Sequence, residues 1–310
     1  MAFAKHETFH IREGWLFKGM SAIRTAEAEN QPATIFLDRY APEKLGIGRN
    51  MVRSLRFWMQ ATGLAEEVKI PHTVQRLTPF GEWVWKYDPY LEDESSLWLI
   101  HYHLVCNQEL ATTWYWFFNH FSPTTFDDTT CVEALRFWVI SEFPDLKIAL
   151  NSLKKDVSCL LRTYLFNETP ETPEDLTESP LSRLGLLSNV GTPYGRRQPR
   201  YRLERLDSGR LHPLIMLYVL VDRQLKKGGS EQLQVNLSQV LREPMNAGRV
   251  FNLNTTGLTD LLATLNKQYP DWRVQFVRTA GLDQLNLPPV KLNQILTRYA
   301  EERREILQVA

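Results

Sequence analysis

The chain has 310 residues, 43% of them hydrophobic and 11% aromatic, with 36 basic and 36 acidic side chains and no net charge. That is enough for a hydrophobic core in two or three modules, and the net charge by itself argues neither for nor against a polyanionic partner. Cys106, Cys131 and Cys159 are too far apart for a zinc knuckle or a disulfide framework, which points to buried reduced thiols. Met1–Gly14 lacks the apolar core of a signal peptide, and Leu211–Leu220 falls well short of the ~20 residues of a membrane span, so the expectation is a soluble, cytoplasmic protein. The distribution of charge is uneven. Residues 1–87 carry 12 basic against 9 acidic residues, 88–150 carry 2 against 10, and 151–310 carry 22 against 17.

Residues 15–28, WLFKGMSAIRTAEA, place Trp15, Leu16, Met20 and Ile23 at helical spacing and predict a first helix. A short second helix is predicted over ATIFLDRYA, with Pro32 near its start and Pro42 stopping it. Gly46 and Gly48 then turn the chain into a third helix that ends at Gly63. Arg49, Arg53 and Arg56 fall at i, i+4 and i+7, on the face opposite Met51, Leu55 and Trp58–Met59. The segment from Gly63 to Trp85 reads as strand, loop, strand and helix. This order is the layout of a winged helix-turn-helix over residues 1–87. In that fold the third helix enters the major groove, arginine reads guanine edges or clamps phosphates, and the wing rests on the backbone. Winged helices also serve as protein-binding modules, and an arginine face is often merely solvated.

The middle, 88–150, is acidic and rich in aromatics. Leu97–Val105 and Trp114–Phe121 read as buried helices, and the run WYWFF at 114–118 requires neighbours on all sides. Asp88, Glu92, Asp93, Glu94, His101, His103 and His120 admit two readings. Carboxylates followed by histidines can build a divalent-metal site for phosphodiester cleavage. Equally, DPYLEDE can begin a helix with its acids at the positive end, the histidines being packed or hydrogen-bonded. His101 and His103, two residues apart, do not share a helix face.

From Asn151 to the C-terminus the pattern predicts a second, winged-helix-like module. SLKKDVSCLLRTYL is a helix bearing Lys154, Lys155 and Arg162; SPLSRLGLL leads towards a wing; YRLERL is a strand. Thr169–Glu178 reads as a linker or exposed loop. Between Arg183 and Lys227 there are 10 basic and 3 acidic residues, and Arg196, Arg197, Arg200 and Arg202 mark a second nucleic-acid surface or a solvated loop. Further on, GRVFNLN reads as a strand, TTGLTDLLATLNKQYP as a helix capped by Thr255 or Thr256, WRVQFVRTAG as a strand and VKLNQILTRYAEERREIL as a closing helix. The fold class is thus mainly α with small β wings (α+β). No Walker A loop, GxGxxG or GxSxG is present, so no nucleotide cofactor is expected.

HETFHIREGWLFKG, LGIGRNMVRSLRFWMQATGL, DPYLEDESSLWLIHYHL and TAGLDQL, in this order, resemble a family of uncharacterised function associated with bacterial DNA phosphorothioation systems, which includes SspB-type proteins. The resemblance implies a role beside a cysteine desulfurase, an ATPase and a sulfurtransferase-like enzyme, and a component that nicks DNA. No catalytic assignment comes with it. On their own terms, His6, Glu7, Arg12 and Lys18 are either structural, with Glu7 paired to Arg12, or functional. In the latter case Arg12 and Lys18 hold a phosphate and Glu7 binds Mg2+ or Mn2+ with Asp88, Glu92 and Asp93. The expectations are therefore double-stranded DNA as partner, docked on Arg49, Asn50, Arg53 and Arg56 and on the Lys154, Lys155 and 183–227 surface. A cutting site would draw on Glu7, Asp88, Glu92, Asp93 and His101. The alternative is a non-enzymatic adaptor or transcriptional regulator whose middle helices form a dimer interface.

Overall fold

The computed structural model describes residues 1–69, 71–166, 178–191, 199–228, 233–279 and 282–309, and divides into two compact units, Met1–Glu204 and Arg205–Ala310. The sequence-predicted boundaries at 87/88 and 150/151 both fall inside the first unit, so the acidic middle is not a separate body.

The first unit begins with α1 (Trp15–Ala28), which buries Trp15, Leu16, Met20 and Ile23 as their spacing predicts. The expected second helix does not form over 33–41. A 3-10 turn, Ile35–Leu37, comes first, and α2 (Ala41–Leu45) follows. Pro42 lies in the first turn of α2 and does not stop a helix, because first-turn amides have no intrahelical acceptor and a missing N–H costs nothing there. Gly46, in the left-handed region, ends α2, and α3 (Arg49–Ala61) turns Val52, Leu55, Trp58 and Met59 into the core. An antiparallel hairpin follows, β1 (Ala65–Lys69) and β2 (Thr73–Leu77), in register from Ala65↔Leu77 to Lys69↔Thr73. The Thr78 hydroxyl accepts from the Gly81 amide at 3.0 Å and caps α4 (Pro79–Tyr87). A Cβ at Gly81 would lie 1.9 Å from the Leu64 carbonyl oxygen, so only glycine lets α4 pack this closely on the hairpin.

α5 (Glu94–Cys106) and α6 (Thr112–Asn119) are the centre of the unit. All eight residues of α6 are buried, the enclosure that five consecutive aromatics demand. Trp58 and Trp114 meet edge to face at 5.2 Å, an arrangement favoured by the ring quadrupoles. β3 (Thr125–Phe126), α7 (Asp128–Glu142) and α8 (Leu150–Tyr164) follow. The segment expected to be a helix leading to a wing is a 3-10 turn, Pro180–Leu184, and then β4 (Leu187–Asn189). The predicted strand is β5 (Tyr201–Leu203), the centre of an antiparallel sheet ordered β3-β5-β4.

The second unit contains α9 (Pro213–Lys226), β6 (Leu233–Asn236), α10 (Leu237–Arg242), α11 (Ala247–Val250), α12 (Thr255–Gln268), β7 (Gln275–Thr279), β8 (Leu282–Leu287) and α13 (Leu292–Val309). Its sheet is antiparallel, ordered β6-β8-β7. The strand expected at GRVFNLN is absent. Asn246 caps α11 there, and Asn252 takes a left-handed conformation that breaks an extended run. The cap of α12 is Asn254, whose side chain accepts from the Gly257 amide at 2.8 Å, and not Thr255 or Thr256. No helix among the described residues is long and apolar enough to cross a membrane. Cys131 and Cys159 are buried free thiols, and burial pushes both well above the ordinary thiol range; Cys106 is half-buried.

Candidate nucleic-acid interface

The arginine helix divides its charges unevenly. Arg49 and Asn50, in the first turn of α3, are exposed, and the Gly48 N-cap brings no side chain to cover the first amides. Arg53 is 59% exposed and stands 3.8 Å from the Glu7 carboxylate. Arg56 is different. Its guanidinium grips Glu67 on β1 through two bonds of 2.5 and 2.8 Å, and Gln60 and Gln75 donate to the same carboxylate at 3.1 and 2.6 Å. The Arg56 guanidinium holds the Glu67 carboxyl below its usual range, and Glu67 in turn raises Arg56. Arg56 thus ties helix to hairpin, while Arg49, Asn50 and Arg53 face outward.

Lys154 and Lys155 are exposed on α8. On β5, Arg202 is exposed opposite Ser188, and Arg200 beside it is half-buried. Arg196 and Arg197 lie outside the described residues, as does the linker segment 169–177.

Within the acidic motif Glu92 is exposed, whereas Asp88 and Asp93 are half-buried and bonded to backbone amides. Asp88 ends α4, and its two carboxylate oxygens accept the backbone amides of Glu92 at 2.9 Å and Asp93 at 3.1 Å. Burial pushes the Asp88 carboxyl up, against the Ser96 hydroxyl and those two amides, which pull it down. Asp93 caps α5 by accepting from the Ser95 amide at 3.0 Å. His101 is fully buried, with Nδ1 2.7 Å from the Tyr164 hydroxyl and its ring edge on Phe118 at 4.6 Å. His103, on another face of α5, stacks on Phe80 at 4.4 Å. Among the described residues no three His, Cys, Asp or Glu side chains are grouped to hold a metal ion, so Glu7, Asp88, Glu92 and Asp93 are not brought together as ligands.

The N-terminal motif is a strap across α3, α6 and α8. His6, 1% exposed, faces the equally buried Asp156 at 2.8 Å. The Ala4 amide and the Thr113 hydroxyl donate to the same carboxylate, each at 2.7 Å. His6 Nδ1 accepts the Thr8 amide at 3.1 Å, leaving Nε2–H to donate to Asp156. Arg162 donates to the Thr8 carbonyl at 2.7 Å, and the Trp58 indole to the Phe9 carbonyl at 3.0 Å. The Glu7–Arg12 pair does not form. Glu7 meets Arg53, and the Arg12 guanidinium lies over the Phe9 and Trp15 rings at 5.4 and 5.5 Å. Lys18 donates to the Leu45 carbonyl at 2.5 Å, at the C-terminal end of α2. Asp156 is the polar residue that sequence reasoning missed. Its signal is an acid between Leu153, Val157 and Leu160 on the apolar stripe of α8, where a carboxylate needs a buried partner.

Two solved structures are similar over almost the full length. A magnesium-ion-bound SspB crystal structure matches with a TM-score of 0.81, 25% identity, and coverage of 97% of this chain and 88% of that one. A second SspB crystal structure matches with a TM-score of 0.78 at the same identity and coverage. No functionally curated protein matches the chain. The family profile that covers residues 3–300 is that of DUF4007, and the chain is therefore a member of this family of proteins of unknown function.

Proposed function

We propose that the protein is the duplex-docking component of a bacterial DNA phosphorothioation system, with residues 1–87 working as a winged helix-turn-helix. The observation that carries this reading is α3. It follows two helical segments, precedes an antiparallel hairpin, and directs Arg49, Asn50 and Arg53 outward while Arg56 braces it against β1. A helix of this length fits the major groove, and exposed guanidinia suit phosphates and guanine edges. An uncapped first turn adds free amides of the right polarity for a phosphate. The likeness to SspB supplies the system, through the phosphorothioation context that the family resemblance implies. A cysteine desulfurase, an ATPase and a sulfurtransferase-like enzyme are the proposed protein partners.

The test is fluorescence anisotropy on a labelled duplex across a salt series. Arg49→Ala/Arg53→Ala is expected to weaken binding about tenfold or more and to flatten the slope of log K against log salt by ~0.9 per lost phosphate contact. Equal binding by wild type and the double variant would remove α3 from the interface.

Strand nicking with Mg2+ or Mn2+ is a second reading, favoured by the magnesium ion in one of the similar SspB structures. Among the described residues no three His, Cys, Asp or Glu side chains gather to hold an ion, so no step is assigned to Glu7, Asp88, Glu92 or His101. The check is conversion of supercoiled plasmid to open circles. Equal product from wild type and Asp88→Ala/Glu92→Ala would place any cutting site elsewhere.

A further inference from the structure

We infer that Glu7 is a built-in competitor for the DNA phosphate on Arg53, held in place by the buried clasp of the N-terminal strap; this rests on the duplex-docking reading. Arg53 is the outward arginine in the second turn of α3, and the partner it faces is the Glu7 carboxylate at 3.8 Å. Both side chains are partly exposed, 59% and 36%, so a phosphate can reach the guanidinium once the carboxylate moves aside.

Glu7 does not arrive there by chance of a flexible tail. Ala4, Glu7 and Thr8 all lie in the left-handed region, at φ 54°, 50° and 68°, a costly conformation for residues with a Cβ. The strap keeps it because its neighbours are anchored. His6 and the Ala4 amide are fastened to Asp156, Thr8 is bonded on both sides, to His6 and to Arg162, and Trp58 of α3 itself holds the Phe9 carbonyl. The clasp therefore fixes the backbone of Glu7 beside α3, leaving its side chain free to swing.

The chemistry is ion exchange on one cation. With the carboxylate in place, Arg53 is screened and releases fewer counterions when DNA docks; a phosphate displaces the carboxylate and takes its position. A contact of this kind lowers affinity for any duplex that uses Arg53.

The experiment is a double-mutant cycle read by duplex anisotropy, using the full chain. Glu7→Gln keeps the shape of the side chain and removes its charge. It is expected to tighten duplex binding about two- to five-fold, the range of an exposed ion pair, and to steepen the salt slope by up to ~1. In the Arg53→Ala background the same change is expected to have no effect. Should Glu7→Gln tighten binding equally with and without Arg53, general repulsion is at work and the competition is overturned. It is likewise overturned if Arg53→Ala weakens binding while Glu7→Gln changes nothing; the docking role of α3 then stands. If neither wild type nor Glu7→Gln binds duplex at low salt, the docking reading itself falls.

Discussion

The two charged motifs of the first unit engage their side chains differently. On α3, Arg49, Asn50 and Arg53 point outward, and the single ionic contact among them is the long one to Glu7. In the acidic motif, Asp88 and Asp93 are occupied by backbone amides, and His101 by a buried tyrosine. Charge that is spent on capping and on the core stabilises the fold; charge left facing solvent is available to a ligand. Residues that look alike in the sequence thus differ in the fold: Asp88, Asp93 and His101 are engaged by other groups of the chain, while Arg49, Asn50, Arg53 and Glu92 are exposed.

That separation can be broken by experiment, beginning where the effect is largest. Asp156→Ala leaves His6, Thr113 and the Ala4 amide facing a buried gap, and removal of one partner of a buried pair costs about 3–5 kcal/mol. A drop of this size in the unfolding free energy from urea denaturation is expected; a loss under ~1 kcal/mol would mean that the strap is not fastened by the clasp. Asp88→Ala removes the acceptor of two amides and is expected to cost about 1–2 kcal/mol by the same measurement. A stable Asp88→Ala variant would return that carboxylate to the list of functional candidates.

The next effect is smaller and depends on pH. Glu67 titrates below its ordinary value of 4.5 because Arg56 favours its charged form. Its stabilisation is thus present above pH 4.5 and is lost as pH falls through the lower folded-state value. The pair is partly exposed, so about 0.5–1 kcal/mol is expected to disappear over that range in wild type and to be missing at all pH values in Arg56→Met. Chemical denaturation at pH 6 and at pH 3 checks it. Smallest of all, Arg49→Ala/Arg53→Ala is expected to leave stability within ~0.5 kcal/mol of wild type, as outward side chains with few contacts should. A large destabilisation would show these arginines to be structural, and would undercut any loss of DNA affinity as an argument for docking.

Much of the local structure was legible in the sequence. Helical spacing placed α1 and the buried stripe of α3, and the unbroken aromatic run required the enclosure of α6. These follow from periodicity, a property of consecutive residues. The errors lie where local signals compete. Pro42 reads equally as a stop or as a first-turn residue, and GRVFNLN has strand-like composition but carries Asn252 in a left-handed turn. Composition changes at 88, while one compact unit runs from Met1 to Glu204 across that point.

The partners of charged groups depended on tertiary structure. Nothing in the spacing of HETFHIREGW says that His6 meets a carboxylate 150 residues away, or that Glu7 faces α3 instead of Arg12. Periodicity fixes which face of a helix a side chain occupies, so the sequence alone determined that Arg49, Arg53 and Arg56 share one face. Which of them is neutralised depends on what the fold brings opposite. The hairpin carries Glu67 to Arg56, the strap carries Glu7 to Arg53, and Arg49 is left in solvent. An ion pair needs two groups within a few ångströms, and only chain-distant packing sets that distance.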